Sequence, residues 1–271
     1  MIRLYTTQTL EEKIELLLDA DQSHCLAHVM RCKVGDFVSL FNGSDGQWQG
    51  EISSIAKKSV AILPLKQTRP QTSSPDLWLV FAPLKNKTEL VVEKAVELGV
   101  SKIIPIVTRH SVVRSVNMEK LTIHAIEAAE QCERLDIPAL ETHKDLSYLL
   151  GSWEKDRVLL FGDESGGSES LTKVLGNMKN SIQQDDENSL SPWERARVRA
   201  IEKSSIAILI GPEGGFAADE FEMLRASGFA SGFGMGGRIL RADTAAVAAL
   251  ACIQSVLGDW DVRPHFIGKN S

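Results

Sequence analysis

The sequence predicts an α/β protein of two domains, a small β-barrel followed by a mostly parallel sheet with helices on both faces. Residues 1–70 carry short alternating strand patterns broken by turn residues. From Leu77 onward, apolar runs of strand length alternate with amphipathic helical stretches, the rhythm of βαβ units. Between them, Gln67–Asp76 combines two prolines with small polar residues, which places a linker at 71–76 and the second domain at 77–271.

In the first domain, Val34–Phe41 alternates toward Asn42-Gly43, a hairpin signal. Trp48–Ile52 and Ser59–Leu63 follow as strands, and a helix interrupts the set near Asp21–Arg31. Closure into a barrel removes exposed strand edges. His24, Cys25, His28 and Cys32 fall in that helical stretch. One helix rarely supplies every ligand of a metal, so packed or surface residues are the better reading and no metal is expected.

In the second domain, Leu77–Ala82 is a strand and Asn86–Leu98 a helix ended by Gly99, the usual residue after a helix. Strand Lys102–Val107, helix Met118–Arg134 and strand Arg157–Phe161 come next. Residues 172–204 break the rhythm: Gln183–Pro192 is polar and aperiodic, and Trp193–Arg199 is basic. This composition favours a flexible surface insertion over an RNA-gripping arm. Ile206–Ile210 is a short β-branched run, expected as a fully buried strand. It stops at Gly211-Pro-Glu-Gly-Gly215, and a helix opens at Ala217–Glu220 with acids in its first turn. After Gly228 the pattern repeats: a strand, the glycines 232, 234, 236 and 237, then Arg238-Ile-Leu-Arg241 and a small-residue helix from Asp243.

At 271 residues and 43% hydrophobic, the chain can bury a large core. It has no uninterrupted apolar stretch of about 18 residues, so no membrane span is expected. The acidic start MIRLYTTQTLEEKIELLLDA lacks a signal-peptide core, and the four cysteines are scattered; both point to a cytoplasmic, reduced protein. A net charge of −6 disfavours holding nucleic acid by bulk electrostatics. A local basic face survives in Arg3, Arg31, Lys33, Lys57, Lys58, Lys66 and Arg69, beside the plain reading that these are solvated surface.

Three glycine-bearing strand ends, at Gly162, Gly211 and Gly234–Gly237, converge in one sheet and favour a nucleotide-like ligand lying on bare backbone. Gly211–Gly215 lacks the lysine and hydroxyl of a P-loop and is not a dinucleotide fingerprint, and its proline removes an N–H that would cradle phosphate. An adenosine carrying a cation fits better, with Glu213 either its charge partner or a solvent-facing turn residue. A nucleotide-dependent oxidoreductase or hydrolase would need a phosphate loop or a Ser–His pair, and no G-x-S-x-G is present.

Leu209–Phe216 (LIGPEGGF) followed by Gly236–Ala245 (GGRILRADTA) resembles the RsmE family of the SPOUT methyltransferases. Val92–Val100, Glu127–Arg134, His24 with Val29–Arg31, and Leu40–Gly43 are similar to further segments of that family, so the likeness spans nearly the whole chain. The resemblance implies a trefoil-knotted second domain, a PUA-like RNA-binding barrel at the N-terminus and a homodimer. It implies methylation of uridine N3 in 16S ribosomal RNA, on the small ribosomal subunit, with S-adenosylmethionine as donor. The donor loops match Phe161, Gly162 and Glu164; Ile210, Gly211, Pro212, Glu213, Gly214 and Gly215; and Met235, Gly236, Ile239 and Leu240. Arg241 would orient the uracil and stabilise charge on its carbonyls. Asp243 and Ala242 stand where the family commonly has glutamate and threonine, which leaves Asp243 between proton acceptor and helix N-cap. Lys94, Glu97, Glu130 and Arg134 match family positions and equally read as intrahelical ion pairs. Arg3, His24, Arg31, Lys57 and Lys58 would hold flanking RNA. With the same motif, an RNA-binding adaptor that does no chemistry stays open.

Overall fold

A computed structural model describes residues 1–57, 59–154, 156–181 and 205–261. The chain divides into two compact units, Met1–Ser73 with Ile126–Ile137, and Ser74–Ala125 with Pro138–Ser271. The break between Ser73 and Ser74 falls inside the expected linker. The return of Ile126–Ile137 to the first unit was not legible, because a helix's periodicity shows that it has an apolar face and not what covers it.

The first unit contains β1 (Ile2–Tyr5), β2 (Leu16–Leu17), α1 (Ala20–His24) continued by a π-turn at Cys25–Val29, then β3 (Phe37–Phe41), β4 (Gln47–Ile55) and β5 (Val60–Arg69). They form a curled five-stranded sheet in the order β1-β3-β4-β5-β2, parallel only between β1 and β3. Leu4, Leu16, Leu26, Val38, Leu40, Ile52 and Ile62 meet in its core. The β3–β4 connection is longer than a two-residue Asn-Gly turn: Asn42 Oδ1 accepts from the backbone of Ser44 and Asp45 at 3.0 and 2.8 Å, an Asx turn. Gly46, at φ +75°, lets the chain pass Arg69, whose carbonyl would stand 2.3 Å from any Cβ there.

Arg3 is a correction. Its guanidinium donates to the carbonyls of Ala129 (3.0 Å), Glu130 (3.2 Å) and Arg134 (3.0 Å), and stacks over the Phe41 ring. It caps the carbonyls at the end of a helix, an internal role, so it is not a free cation for RNA. Glu130 likewise accepts from Tyr5 N at 2.8 Å, and Arg134 pairs with Asp136 at 2.6 Å. Lys94 and Glu97, in the second unit, do pair within their helix, at 2.7 Å.

The second unit contains β6 (Leu77–Phe81), α2 (Thr88–Glu97), β7 (Lys102–Val107), the start of α3 (Met118–Gln131), β8 (Ala139–Leu140), β9 (Lys144–Asp145), α4 (Leu146–Gly151), β10 (Val158–Gly162), α5 (Leu171–Ser181), β11 (Ile206–Ile210), α6 (Ala218–Ala226), β12 (Ala230–Phe233) and α7 (Ala242–Leu257). All its strand pairs are parallel, in the order β12-β10-β11-β6-β7-β8, with β9 also on β7. β6 and β11 are buried along their whole length, as continuous apolar runs require. Gly99 ends α2 at φ +75°, with Gln254 Nε2 of α7 where a Cβ would lie; that amide donates to Leu98 O at 2.6 Å.

Helix α5 corrects the expected insertion at 172–204. Leu171, Val174, Leu175 and Met178 recur at helical spacing and are buried, a pattern too short to stand out beside the polar stretch after it. The rest of that expectation, 182–204, lies outside the described residues. Among the described residues no helix is long and apolar enough to cross a membrane.

Candidate functional site

β12, β10 and β11 are neighbours, so the loops that leave their C-terminal ends meet at one edge of the sheet, where open α/β sheets place their ligands. They enclose a cavity of about 850 Å³, lined in part by the bare backbone of Gly162, Gly211, Gly215, Gly234 and Gly236.

The first wall is Gly162–Ser170. Asp163, 5% exposed, accepts from Ser165 N at 2.9 Å, Ser168 Oγ at 2.5 Å and Arg225 Nη2 at 3.4 Å. Burial alone would raise its pKa, but the Ser165 and Ser168 hydrogen bonds and the Arg225 charge together hold it below the ordinary aspartate value.

The second wall follows β11. Gly215 N donates to Pro212 O at 2.9 Å, closing a turn that puts Gly215 at φ +70°. His110 Nδ1 lies 3.0 and 3.2 Å from the carbonyls of Gly214 and Gly215; carbonyls only accept, so Nδ1 carries the proton. Behind the turn, Glu220 is 4% exposed and accepts from Ala217 N and Arg109 N, both at 2.9 Å. It satisfies one of the orphan N–H groups at the start of α6 and ties the loop after β7 to it. Phe216 packs edge-on against Phe221, with ring centroids 5.5 Å apart, which seats the turn on the core.

The third wall is Gly234–Arg241. Gly234 is fixed by its N–H to Glu169 O (2.8 Å) and its carbonyl to Leu171 N (2.9 Å). Beyond it, among the described residues, no side chain of Met235–Arg241 makes a hydrogen bond or ion pair. Gly236 sits at φ +87°, Ile239 is 86% exposed, and Arg238 and Arg241 are lining residues whose guanidiniums have no partners among the described residues. Arg241 is itself the residue preceding α7, in extended backbone (φ −66°, ψ 151°). That corrects one reading of Asp243: it lies inside the first turn and is not the N-cap. Its carboxylate pairs with Lys87, and that hydrogen bond holds its pKa below the ordinary value.

Of the residues expected at a donor site, Gly162, Glu164, Ile210, Gly211, Pro212, Glu213, Gly215, Met235, Gly236, Ile239 and Leu240 line the cavity with Arg241. Three do not. Phe161 points into the core at 1% exposure, Gly214 turns its back to His110, and Asp243 faces Lys87. Asp163 falls within the expected donor loop and lines the cavity; the sequence reading missed Ser168 and Phe233 in the lining, and Lys87, His110 and Glu220 behind it. Asp163 carried a signal, its place next to a strand-end glycine; Lys87, His110 and Glu220 reach the site from segments distant in sequence. In the first unit His24, Arg31 and Lys57 are exposed, with the His24 and His28 rings 5.0 Å apart, and Lys58 lies outside the described residues. Among the described residues no group of three or more His, Cys, Asp or Glu side chains is placed to hold a metal.

Comparison with known proteins agrees with this geometry. Residues 71–254 match the RNA methyltransferase domain family and residues 18–65 the RNA methyltransferase PUA domain. Ribosomal RNA small subunit methyltransferase E of Rickettsia conorii is 33% identical over 255 residues, 93% of this chain and 94% of its own. The Bacillus subtilis protein of that name is 28% identical over 258 residues, 92% of this chain and 93% of its own. The fold is that of the Neisseria gonorrhoeae ribosomal RNA small subunit methyltransferase E, solved bound to S-adenosyl methionine, at TM-score 0.78, 22% identity and coverage of 96% and 99% of the two chains.

Proposed function

The chain belongs to the RNA methyltransferase family of the ribosomal RNA small subunit methyltransferase E type, and from that premise we propose that it methylates N3 of one uridine in 16S ribosomal RNA, with S-adenosylmethionine as donor. The carrying observation is the cavity itself: three walls of strand-end backbone with Arg241, an arginine without a partner among the described residues, on the lining.

The residues present fit such a donor. About 850 Å³ lies within the size range of sites for ligands of this class. Glu164 and Glu213 bring negative charge to the lining, which suits a cation better than a phosphate. At Gly211 a Cβ would stand 2.9 Å from the Phe216 ring, so the backbone there is kept bare. S-adenosylmethionine supplies, when bound, a methyl group on a sulfonium sulfur, leaving a neutral thioether after transfer.

Uracil N3 lies between two carbonyls and carries a weakly acidic proton, which must leave as the N–C bond forms. The planar fork of Arg241 donates to a uracil carbonyl and stabilises the negative charge that develops there. Asp243, ionised beside Lys87, is a weak proton acceptor. We assign the loss of the N3 proton to bulk solvent before methyl transfer, favoured by the Arg241 charge beside the carbonyls, and to Asp243 the anchoring of Lys87 within a turn of Arg241. N3 is buried in a base pair, so the target is unpaired or flipped out. His24, Arg31 and Lys57, with Lys58, hold flanking RNA backbone. A net charge of −6 makes shape, presented by the assembled small subunit, the main determinant of recognition. The enzyme works in the cytoplasm as a homodimer, for which Ile239 offers an exposed apolar contact.

The test is transfer of labelled methyl to small ribosomal subunits that lack the modification, with naked 16S RNA alongside. Label at uridine N3, stronger on the subunit and lost in Arg241→Ala while donor binding persists, is the expected result. Donor binding with no transfer to any ribosomal RNA would leave the adaptor reading; no donor binding would end the proposal.

A further inference from the structure

We infer that Asp163 is a positioning residue for the donor, holding the Gly162–Ser170 loop in the shape that makes it a cavity wall; this rests on the donor-binding reading above. Among residues 162–170 only Asp163 is buried. The stretch Glu164-Ser-Gly-Gly-Ser168 has no apolar side chain to bury, and Gly166 sits at φ +79°. Such a loop samples many conformations unless specific bonds offset the entropy of ordering it.

Asp163 supplies those bonds from both ends. Its backbone N–H donates to Phe233 O on β12 at 2.8 Å, which anchors the residue to the neighbouring strand. Its carboxylate gathers donors from Ser165, from Ser168 and, on α6, from Arg225. β12 makes room for this arrangement: a Cβ at Gly232 would stand 2.4 Å from Ser168 Oγ and 3.3 Å from Asp163 Cβ. A carboxylate is required because it is the acceptor for every one of these donors. An amide of the same shape keeps one acceptor oxygen and turns two N–H groups toward the remaining donors. Arg225 does not line the cavity, and its hydrogen bonds to the wall run through Asp163 and Ser165.

The experiment is isothermal titration of S-adenosylmethionine into the full chain and into Asp163→Asn and Arg225→Met, with thermal unfolding of each. Methyl-transfer kinetics are followed in parallel. Asp163→Asn is expected to weaken donor binding on the order of tenfold or more, as loss of hydrogen bonds to a buried charged group implies. KM for the donor rises with it, while KM for RNA and kcat at saturating donor hold. Arg225→Met, an exposed partner, should cost about threefold in the same direction. It also serves as the test if Asp163→Asn does not fold. Unchanged donor affinity in either folded variant, with or without a lower melting temperature, would overturn the inference and leave the donor-binding reading standing. A wild-type chain that binds no S-adenosylmethionine would overturn both.

Discussion

The Gly162–Ser170 wall and the Met235–Arg241 wall face one cavity and are built in opposite ways. The first is cross-linked: a buried carboxylate collects a backbone N–H and a hydroxyl from its own nine residues and a guanidinium from α6. The second carries two arginines and an 86% exposed isoleucine, with no side-chain bond among the described residues beyond Gly234. Side chains left unpaired at a cavity rim cost nothing while water solvates them, and they stay available to an incoming partner. We propose from this contrast that the cross-linked wall fixes the pose of the donor, while the open wall, where the donor also meets Met235–Leu240, presents Arg241 to a substrate that arrives from outside. The first unit repeats the contrast in one residue type. Arg3 is held by three backbone carbonyls, whereas Arg31 stands exposed.

The largest effect expected belongs to the open wall. Arg241→Ala should lower methyl transfer by about 10²–10³-fold, the usual cost of losing one charge-stabilising donor. The donor dissociation constant should stay within about twofold. A comparable loss of donor affinity would break the comparison, because Arg241 would then be holding the donor and not only the substrate.

Next is the base of the second wall. Glu220→Ala strands two backbone N–H groups, of Ala217 and Arg109, in a site now 4% exposed. Leaving buried donors unsatisfied should cost about 2–3 kcal/mol of unfolding free energy in urea titration. A loss below about 0.5 kcal/mol would mean that water reaches those groups and that this wall is as open as the third.

Much of the second unit was legible in the sequence, because parallel strands buried on both faces must read as apolar runs, and Ile206–Ile210 does. Loop glycines marked the cavity for a similar reason: bare backbone lets Gly215 and Gly236 take positive φ without strain. What supports the cavity was not legible. His110 reaches Gly214 across 104 positions and Lys87 reaches Asp243 across 156, and no local pattern encodes such pairs. In the first unit, β1 and β2 escaped notice because strands of four and two residues have too few positions for alternation to show. Arg3 was misread since a cation's partner cannot be inferred from its neighbours in sequence.

Gly215→Ala probes the seam between the first and second walls. At φ +70° an L-residue costs about 1–2 kcal/mol. The new Cβ would also stand 1.9 Å from Glu164 Oε1, pushing that flexible side chain aside. Donor affinity should fall about fivefold to tenfold, with transfer at saturating donor nearly unchanged. If kcat falls and affinity does not, the turn serves the substrate and the assignment of the two walls has to be reversed.

The smallest effect sharpens the comparison at the foot of the open wall, where Lys87 pairs with Asp243 in the first turn of α7. Lys87 is 44% exposed, so solvent screens the pair and Lys87→Met should cost only about 0.2–1 kcal/mol at neutral pH. The sign of its pH dependence is set by Asp243, whose pKa the Lys87 hydrogen bond lowers. A depressed carboxylate contributes stability above the unfolded-state value, near 3.8, and loses it as pH falls through the lower folded-state value. The gap between wild type and Lys87→Met in urea unfolding should therefore be fully present at neutral pH and close in acid below 3.8. A gap that persists once Asp243 is protonated would show that Lys87 acts through packing of its aliphatic stem. The open wall would then rest on contacts that pH cannot release, and its freedom would be confined to the residues between Gly236 and Arg241.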